Sequence, residues 1–235
     1  MNIKKTNTIW INGATSPSGE LLAQHYSTNG DKIILSAGNR DELYAVKAKC
    51  KGNPMNIHII TVDMSKPEEI LDRSKEALRI FGRIDTLVLC SKAELKKSTA
   101  ETSIEEAKKI MDINFWLNAA LAKAVLPIMK RQKTGHILVF NPIEGKIGMP
   151  NQSAFSASRH ALYGYFDFLR AEQTFPINIT MISGELGTTK NSVAKFLKKV
   201  EKLPEEITIN DKTSKLLRLK FFRPTAFFKQ ISSLT

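Results

Sequence analysis

The segment Asn12–Gly19 carries glycines and hydroxyl side chains in an arrangement that suits a phosphate group. Gly13 permits a tight turn, and Gly19 permits close packing of a helix on a sheet. Backbone N–H groups and the positive end of a helix dipole would hold an anion here. Hydroxyl groups for further hydrogen bonds follow at Thr15, Ser16 and Ser18. The alternative is a loop that only connects two elements, and the residue types leave both alternatives open.

Phe155 and Arg159 are four residues apart in a segment of helical period, so they share one face of that helix. Phe155 has no ionisable group and cannot transfer a proton. Arg159 carries a permanent charge and can donate hydrogen bonds to hydroxyl groups. Pro142, which follows an apolar run, has neither a hydroxyl nor an N–H group. These three residues include no general acid or base.

Apolar runs alternate along the chain with segments of helical period. Several runs are almost continuously apolar, which is typical of strands buried on both faces in a parallel sheet. The predicted strands are Thr8–Asn12, Lys32–Ala37, Ile57–Val62, Thr86–Cys90, His136–Asn141 and Asn178–Ser183. The predicted helices are Gly19–Ser27, Asp41–Lys51, Pro67–Phe81, Ile104–Lys130 and Ser153–Glu172. This alternation predicts an α/β fold with a doubly wound, Rossmann-like parallel sheet.

We expect one domain, with a core over residues 1–190 and a basic lid helix and C-terminal tail over 191–235. No seventh strand is clear after the basic helix predicted at Asn191–Lys202. Doubly wound sheets bind ligands beyond the carboxyl ends of their strands. The functional residues are therefore expected in the loops that follow the strands.

These motifs resemble the short-chain dehydrogenase/reductase family, classical type, from about Thr8 to Thr189. The first loop is similar to the family's Thr-Gly-x-x-x-Gly-x-Gly loop, although Asn12 replaces the Thr and Pro17 replaces the middle Gly. The resemblance implies an NAD(P)-dependent oxidoreductase. Pro17 is well suited to the first turn of a helix, but it has no N–H to give a phosphate. We therefore expect weakened dinucleotide affinity.

The resemblance also implies cofactor contacts after the second and third strands. Members that prefer NADP place an Arg where this chain has Asn39 and Arg40, and no acidic residue stands there. Arg40 could meet a 2′-phosphate, which favours NADP(H) over NAD(H); the alternative is a solvated residue at a helix start. Asp63 and Met64 match the pair that holds adenine, and Ser91 lies in the segment that replaces the family's Asn-Asn-Ala-Gly.

The family's catalytic positions fall on Asn114, Pro142, Phe155 and Arg159. Asn114 retains the Asn that anchors a proton-relay water. The family's Ser, Tyr and Lys bind the substrate oxygen, transfer the proton and hold the nicotinamide ribose, and here they are Pro142, Phe155 and Arg159. Losing acid–base catalysis costs about 10²–10⁴-fold and losing one oxyanion donor about 10²–10³-fold. Lys146 is the mobile base nearest in sequence, and His160 should face away.

Two functions follow from these replacements. The first is a catalytically impaired or inactive family member with residual NADP(H) binding and a regulatory or scaffolding role. The alternative is an active NADP(H)-dependent oxidoreductase that acts on a small carbonyl or alcohol ligand through an atypical site. The resemblance further implies a homodimer or homotetramer through the helices 104–130 and 153–172.

The chain of 235 residues has a net charge of +12. Neither an RNA-binding signature nor zinc-ligand spacing occurs, so we expect no nucleic acid and no metal. Cys50 and Cys90 lie in helix and strand segments, and no apolar signal region is present, which predicts a reducing, cytoplasmic setting. The stretch 212–235 combines six bases with large apolar residues and no acid. It predicts either a tail docked on the domain or a peripheral contact with an anionic membrane.

Overall fold

The computed structural model describes residues 6–63, 66–172, 174–184, 186, 190–209 and 211–232. The strands in these ranges are β1 (Thr8–Asn12), β2 (Lys32–Ala37), β3 (Ile57–Thr61), β4 (Thr86–Leu89), β5 (His136–Phe140), β6 (Asn178–Ser183) and β7 (Glu206–Thr208). They form one parallel sheet in the order β3-β2-β1-β4-β5-β6-β7. The prediction of a single-domain, doubly wound α/β fold is confirmed, and the strand order reverses between β1 and β4.

Helices cover both faces of the sheet. They are α1 (Pro17–Thr28), α2 (Arg40–Lys49), α3 (Ile70–Phe81), α4 (Ile104–Met111), α5 (Leu117–Gln132), α6 (Ser153–Glu172), α7 (Lys190–Val200), α8 (Asp211–Phe222) and α9 (Pro224–Ser232). The sequence predicted one helix from Ile104 to Lys130. A π-helical turn at Asp112–Trp116 interrupts this helix. The sequence did not predict the turn, because the spacing of apolar residues does not reveal a wider helical turn.

The prediction that no seventh strand follows α7 is wrong. β7 is only three residues long and pairs in parallel with β6, from Met181↔Glu206 to Ser183↔Thr208. Only Ile207 of this strand is buried, so the segment has no alternating pattern that could reveal it. The sheet therefore extends past residue 190.

The core consists of one apolar layer on each face of the sheet. Neighbouring residues of a strand point to opposite faces, so Ile9 and Ile11 pack towards α1, α2 and α7 while Trp10 packs towards α3, α5 and α6. Both layers are apolar, which explains why the strands read as continuous apolar runs rather than alternating ones.

The helix ends next to the sheet follow the signals in the sequence. Ser103 caps α4 in a reciprocal capping box with Glu106. Gly82 ends α3 in the left-handed conformation, at φ 73°. These caps set where each connecting loop begins.

The C-terminal helices α8 and α9 dock on the segment that follows β5. Phe227 and Ile231 are buried against Ile147 in a small apolar cluster separate from the two core layers. The Lys220 ammonium donates a hydrogen bond to the backbone oxygen of Lys146. None of the helices in the described ranges combines the length and the apolar character that crossing a bilayer requires.

Candidate functional site

The loops after β1, β4, β5 and β6 meet in one cleft at the carboxyl edge of the sheet. Its lining residues are Ser16, Pro17, Ser18, Cys90, Lys92, Phe140, Pro142 and Gly184. The cleft has a volume of about 30 Å³, whereas small-molecule sites commonly measure roughly 300–1,000 Å³. The position agrees with the expected ligand edge, but the space inside it is small.

Gly13 and Gly19 are required by close packing. Gly13 has φ +79°, and a Cβ on it would lie 2.4 Å from the backbone nitrogen of Ser91. A Cβ on Gly19 would lie 2.4 Å from the carbonyl oxygen of Gly13. The predicted reasons for these two glycines, a tight turn and close helix packing, are confirmed.

The N–H and hydroxyl groups of the first loop are largely bonded within the protein. The N–H groups of Gly13 and Ala14 both donate to the carbonyl oxygen of Ser36, at 2.8 and 3.1 Å. The Ser16 hydroxyl oxygen caps α1 by accepting from Gly19 N at 3.1 Å, and Ser18 Oγ accepts from Leu186 N at 3.3 Å.

The adjoining position, Pro17, has no N–H. Thr15 is half-buried beside it. The loop therefore keeps the shape of a phosphate loop, but the N–H groups of Gly13, Ala14 and Gly19 are bonded within the protein and Pro17 has no N–H to offer a pyrophosphate.

The residues after β2 and β3 are exposed. Asn39 caps α2 by accepting from Asp41 N at 2.9 Å. The Arg40 guanidinium donates to the Tyr44 hydroxyl at 3.4 Å, and Asp63 lies 3.7 Å from the Lys66 ammonium. Met64 lies outside the described residues. Arg40 and Asp63 therefore both reach solvent at this end of the sheet.

A buried chain of hydrogen bonds crosses the centre of the same edge. Trp10 Nε1 donates to Ser36 Oγ at 2.9 Å, and Ser36 Oγ donates to Asn12 Oδ1 at 3.0 Å. Asn12 Nδ2 donates to Ser91 Oγ at 3.0 Å, which donates in turn to Asn118 Oδ1 at 3.1 Å. Ser91 was predicted as a cofactor contact. Its hydroxyl is buried and used to tie β1 to β4 and α5.

Sequence reasoning missed the other members of this chain. Trp10 signals it, because a buried indole N–H needs an acceptor. Asn118 signals it as well, since it follows Asn114 by one helical turn and sits among apolar residues. Together these polar groups take over the steadying of the sheet centre that the family assigns to Asn-Asn-Ala-Gly.

Asn114 lies in the π-helical turn, where its side chain is fully used. Its Oδ1 accepts from Ala93 N at 2.8 Å and from Arg159 Nη2 at 3.1 Å. Its Nδ2 donates to Ala93 O at 2.9 Å and to Ser158 Oγ at 3.0 Å. Its backbone oxygen accepts from Asn118 Nδ2 at 2.9 Å. An amide side chain makes four such bonds at most, so none is left for a relay water.

Phe155 and Arg159 lie side by side, as their spacing predicts. The guanidinium carbon of Arg159 is 5.4 Å from the centre of the Phe155 ring. Arg159 is 1% exposed, and its Nη2 donates to Ser91 O at 2.9 Å. Its Nε and Nη1 have no hydrogen-bond partner among the described residues. Burial lowers the pKa of Arg159 to about 10, so the group stays charged at neutral pH.

The other ionisable groups near Phe155 do not replace the missing acid. The prediction that Lys146 is mobile is wrong: its ammonium pairs with the Glu206 carboxylate and lies 4.9 Å from the ring centre of Tyr163. His160 faces away, as predicted; it is exposed and its Nδ1 lies 2.8 Å from Ser156 O. Within the described residues, no cluster of three or more His, Cys, Asp and Glu side chains could hold a metal ion.

The sequence of this chain is similar to those of known short-chain dehydrogenases. Residues 7–202 match the family model described as short chain dehydrogenase. Mouse dehydrogenase/reductase SDR family member 7B is 34% identical over 178 residues, which are 74% of this chain and 55% of that protein. Dehydrogenase/reductase SDR family member 7C-A of Danio rerio is 30% identical over 188 residues, 77% of this chain and 58% of that protein.

Solved structures share the fold at low sequence identity. A short-chain dehydrogenase from Streptomyces avermitilis has a TM-score of 0.84 at 19% identity, over 99% of this chain and 98% of that one. A metagenomic short-chain oxidoreductase in complex with NADP has a TM-score of 0.75 at 20% identity, over 86% and 96%.

The curated relatives are longer than the part of them that aligns with this chain. This chain spans little more than half the length of the curated relatives it matches, 55% for the mouse protein. The family model, in contrast, spans most of the chain, from the strand before the phosphate loop to the end of α7. The chain belongs to the short-chain dehydrogenase/reductase family.

Proposed function

We propose that this chain is a family member that does not reduce carbonyl groups by the Tyr-dependent route and that acts as a nucleotide-responsive regulatory or scaffolding protein. One observation supports this most. Arg159, at the position of the family's Lys, is buried against Phe155 and donates to Ser91 O instead of facing the cleft.

The proposal follows from the proton that carbonyl reduction needs. Phe155 cannot supply it, and Pro142 offers no hydroxyl to the substrate oxygen. Together these losses remove about 10⁴–10⁷-fold of rate. Arg159 does not compensate, because its guanidinium is buried and donates to Ser91 O and Asn114 Oδ1.

The two ends of the cofactor path support different parts of the proposal. The exposed Arg40 guanidinium fits a 2′-phosphate and the exposed Asp63 fits adenine, so we propose that NADP(H) binds in preference to NAD(H). The first loop does not fit a tightly held pyrophosphate, since Pro17 lacks an N–H and Gly13 and Ala14 donate to Ser36 O. NADPH supplies a hydride when bound in the family's enzymes.

The test combines cofactor titration with a turnover assay on a panel of aldehydes, ketones and alcohols. We expect weak NADP(H) binding by calorimetry and no turnover by the wild-type protein. The variant P142S/F155Y/R159K restores the three family residues and is expected to gain measurable turnover, while F155Y alone stays inactive as the matched control. Wild-type turnover in the ordinary enzyme range of about 1–10³ s⁻¹ would refute the proposal.

The second candidate is an active NADP(H)-dependent oxidoreductase with an atypical site. It is favoured by Lys92, an ionisable side chain that lines the cleft beside Pro142. Lys92 lies 2.8 Å from the Glu94 carboxylate, so the pair could exchange a proton with a ligand. In that case K92M would abolish turnover and leave cofactor affinity unchanged. Turnover that survives in K92M, or is absent from the wild type, excludes this candidate.

A homodimer through α4, α5 and α6 is part of the proposal. It is supported by two large aromatic side chains on this side of the domain, Trp116 at 53% exposure and Phe168 at 65%. Light scattering is expected to give a dimer for the wild type and a monomer for W116S/F168S. An unchanged mass in that variant would remove these two residues from the interface.

A further inference from the structure

The turn between α8 and α9 exposes large aromatic side chains. We call Phe221, Phe222 and Arg223 the hairpin tip. Phe221 is 79% exposed and Phe222 is 83% exposed, and Phe228 on α9 is 57% exposed. Single exposed apolar residues are ordinary on protein surfaces, but adjacent exposed aromatic residues at a projecting turn are characteristic of a contact surface.

The hairpin tip stands on an anchored base. On α9, Phe227 is fully buried and Ile231 is 5% exposed, and both pack against Ile147. Residues four apart share a helix face, so this face of α9 is committed to the domain. The exposed aromatic residues therefore do not result from an undocked tail.

Positive charge surrounds the exposed aromatic residues. Lys215, Arg218 and Phe222 stand three and four residues apart on α8, so they occupy one exposed face of that helix. Arg223 is exposed at the turn itself. From residue 212 to the last residue the sequence has six bases and no acid. On α8 and at the turn, the exposed charged side chains that the structure describes are thus all basic: Lys215, Arg218 and Arg223.

We infer that the hairpin tip is a docking site for the surface of a bilayer that contains anionic lipids. Basic residues attract the lipid phosphates, and the aromatic rings at a convex turn enter the interface between headgroups and acyl chains. A second copy of the chain is a poorer occupant, because it would bring another cationic hairpin of a protein with net charge +12 against the first. The contact is peripheral, through side chains of the turn.

The inference is tested by co-sedimentation of the full chain with phosphatidylcholine vesicles, with and without phosphatidylserine. We expect binding to the phosphatidylserine vesicles only, and weaker binding as the salt concentration rises. Equal binding to both kinds of vesicle, or no binding to either, overturns the inference.

Two variants separate the contributions of charge and of the aromatic rings. R218Q/R223Q is expected to weaken vesicle binding roughly thirty-fold, from the usual contribution of a base near an anionic surface. F221S/F222S is expected to weaken it by about tenfold or more, since the apolar contact is lost. The side chains replaced are exposed, so both variants should keep the wild-type melting temperature.

Matched controls change similar residues away from the hairpin. M55S removes an apolar side chain that is 76% exposed, and K75Q/R79Q removes two exposed charges from α3. Both controls should bind vesicles like the wild type. If the controls lose as much affinity as the tip variants, the effect belongs to general charge or hydrophobicity and the inference is wrong. It is also wrong if F221S/F222S alters only the oligomeric mass, or if a DNA oligonucleotide binds the tip and the vesicles do not.

Discussion

Two groups of residues lie at the same edge of the sheet but in different environments. One group follows β2 and β3, and the other packs beyond the ends of β4 and β5 in the π-helical turn and α6. Arg40 and Asp63 are exposed and make long contacts with near neighbours in sequence. Asn114 and Arg159 are at most 1% exposed and bond to residues more than twenty positions away. We expect substitutions in the first group to leave the core intact, and truncation of a side chain in the second group to destabilise the fold.

Arg40 and Asp63, which match the family's cofactor contacts, are thus exposed, whereas two of the family's catalytic positions are buried. Two of the family's catalytic positions, Asn114 and Arg159, belong here to a buried polar network that joins the π-helical turn and α6 to the segment after β4, whereas Pro142 and Phe155 have no polar side-chain group. The open end retains only the groups that could recognise a nucleotide. Substitutions at the two ends should therefore affect different measurements.

The largest expected effect is a loss of stability in N114A. This change removes the partner of the N–H and C=O groups of half-buried Ala93 and of one donor of buried Arg159, and each such group costs about 1–3 kcal/mol when it is fully buried. We expect the free energy of unfolding to fall by about 3–5 kcal/mol in chemical denaturation. A loss below about 1 kcal/mol would mean that the network does not hold this end together.

The pH dependence of stability should come from His136 at the opposite edge of the sheet, where β5 begins. Burial lowers the pKa of His136 from 6.5 to about 4. The unfolded chain therefore binds a proton between these pH values while the folded chain does not, so stability is lost as the pH falls from 6.5 to 4.

The loss attributable to His136 is about 2–3 kcal/mol. It is measured as the difference between wild type and H136Q in denaturation at the two pH values, which removes the contribution of the carboxylates common to both. A steep acid loss that persists in H136Q would assign the effect to other groups.

The variant R40A tests the open end. The guanidinium is expected to contact the 2′-phosphate, so R40A should bind NADP(H) about tenfold more weakly and bind NAD(H) unchanged. Calorimetric titration with both cofactors measures the difference. Equal affinity for NADP(H) in wild type and R40A would leave Arg40 as a solvated helix residue. Its melting temperature should match that of the wild type.

The smallest effect is expected for N39A, which serves as the exposed counterpart of N114A. Asn39 accepts from the N–H groups of Asp41 and Glu42 as the cap of α2. Losing such a cap costs about 1 kcal/mol. If denaturation shows N39A to be as damaging as N114A, the proposed difference between the two ends does not hold.

Much of the fold follows from local patterns in the sequence. The six longer strands begin where their apolar runs begin, and α6 has both predicted ends. β7 could not be predicted, because a strand of three residues is too short to show a periodic pattern. The π-helical turn could not be predicted either, because one extra residue in a turn does not change the apolar spacing enough to be recognised. For the site, the spacing of Phe155 and Arg159 predicted that they are neighbours but not which groups Arg159 contacts.

By itself, the amino-acid sequence determined the parallel sheet, the glycine-dependent first loop and the absence of ionisable groups at Pro142 and Phe155. These properties depend on residue type and on neighbours along the chain. Only the tertiary structure decided that Ser91, Asn114 and Arg159 bond to one another rather than face the cleft. Their partners come from strands and helices far apart in sequence, and a buried polar group takes whichever partner the packing brings within reach.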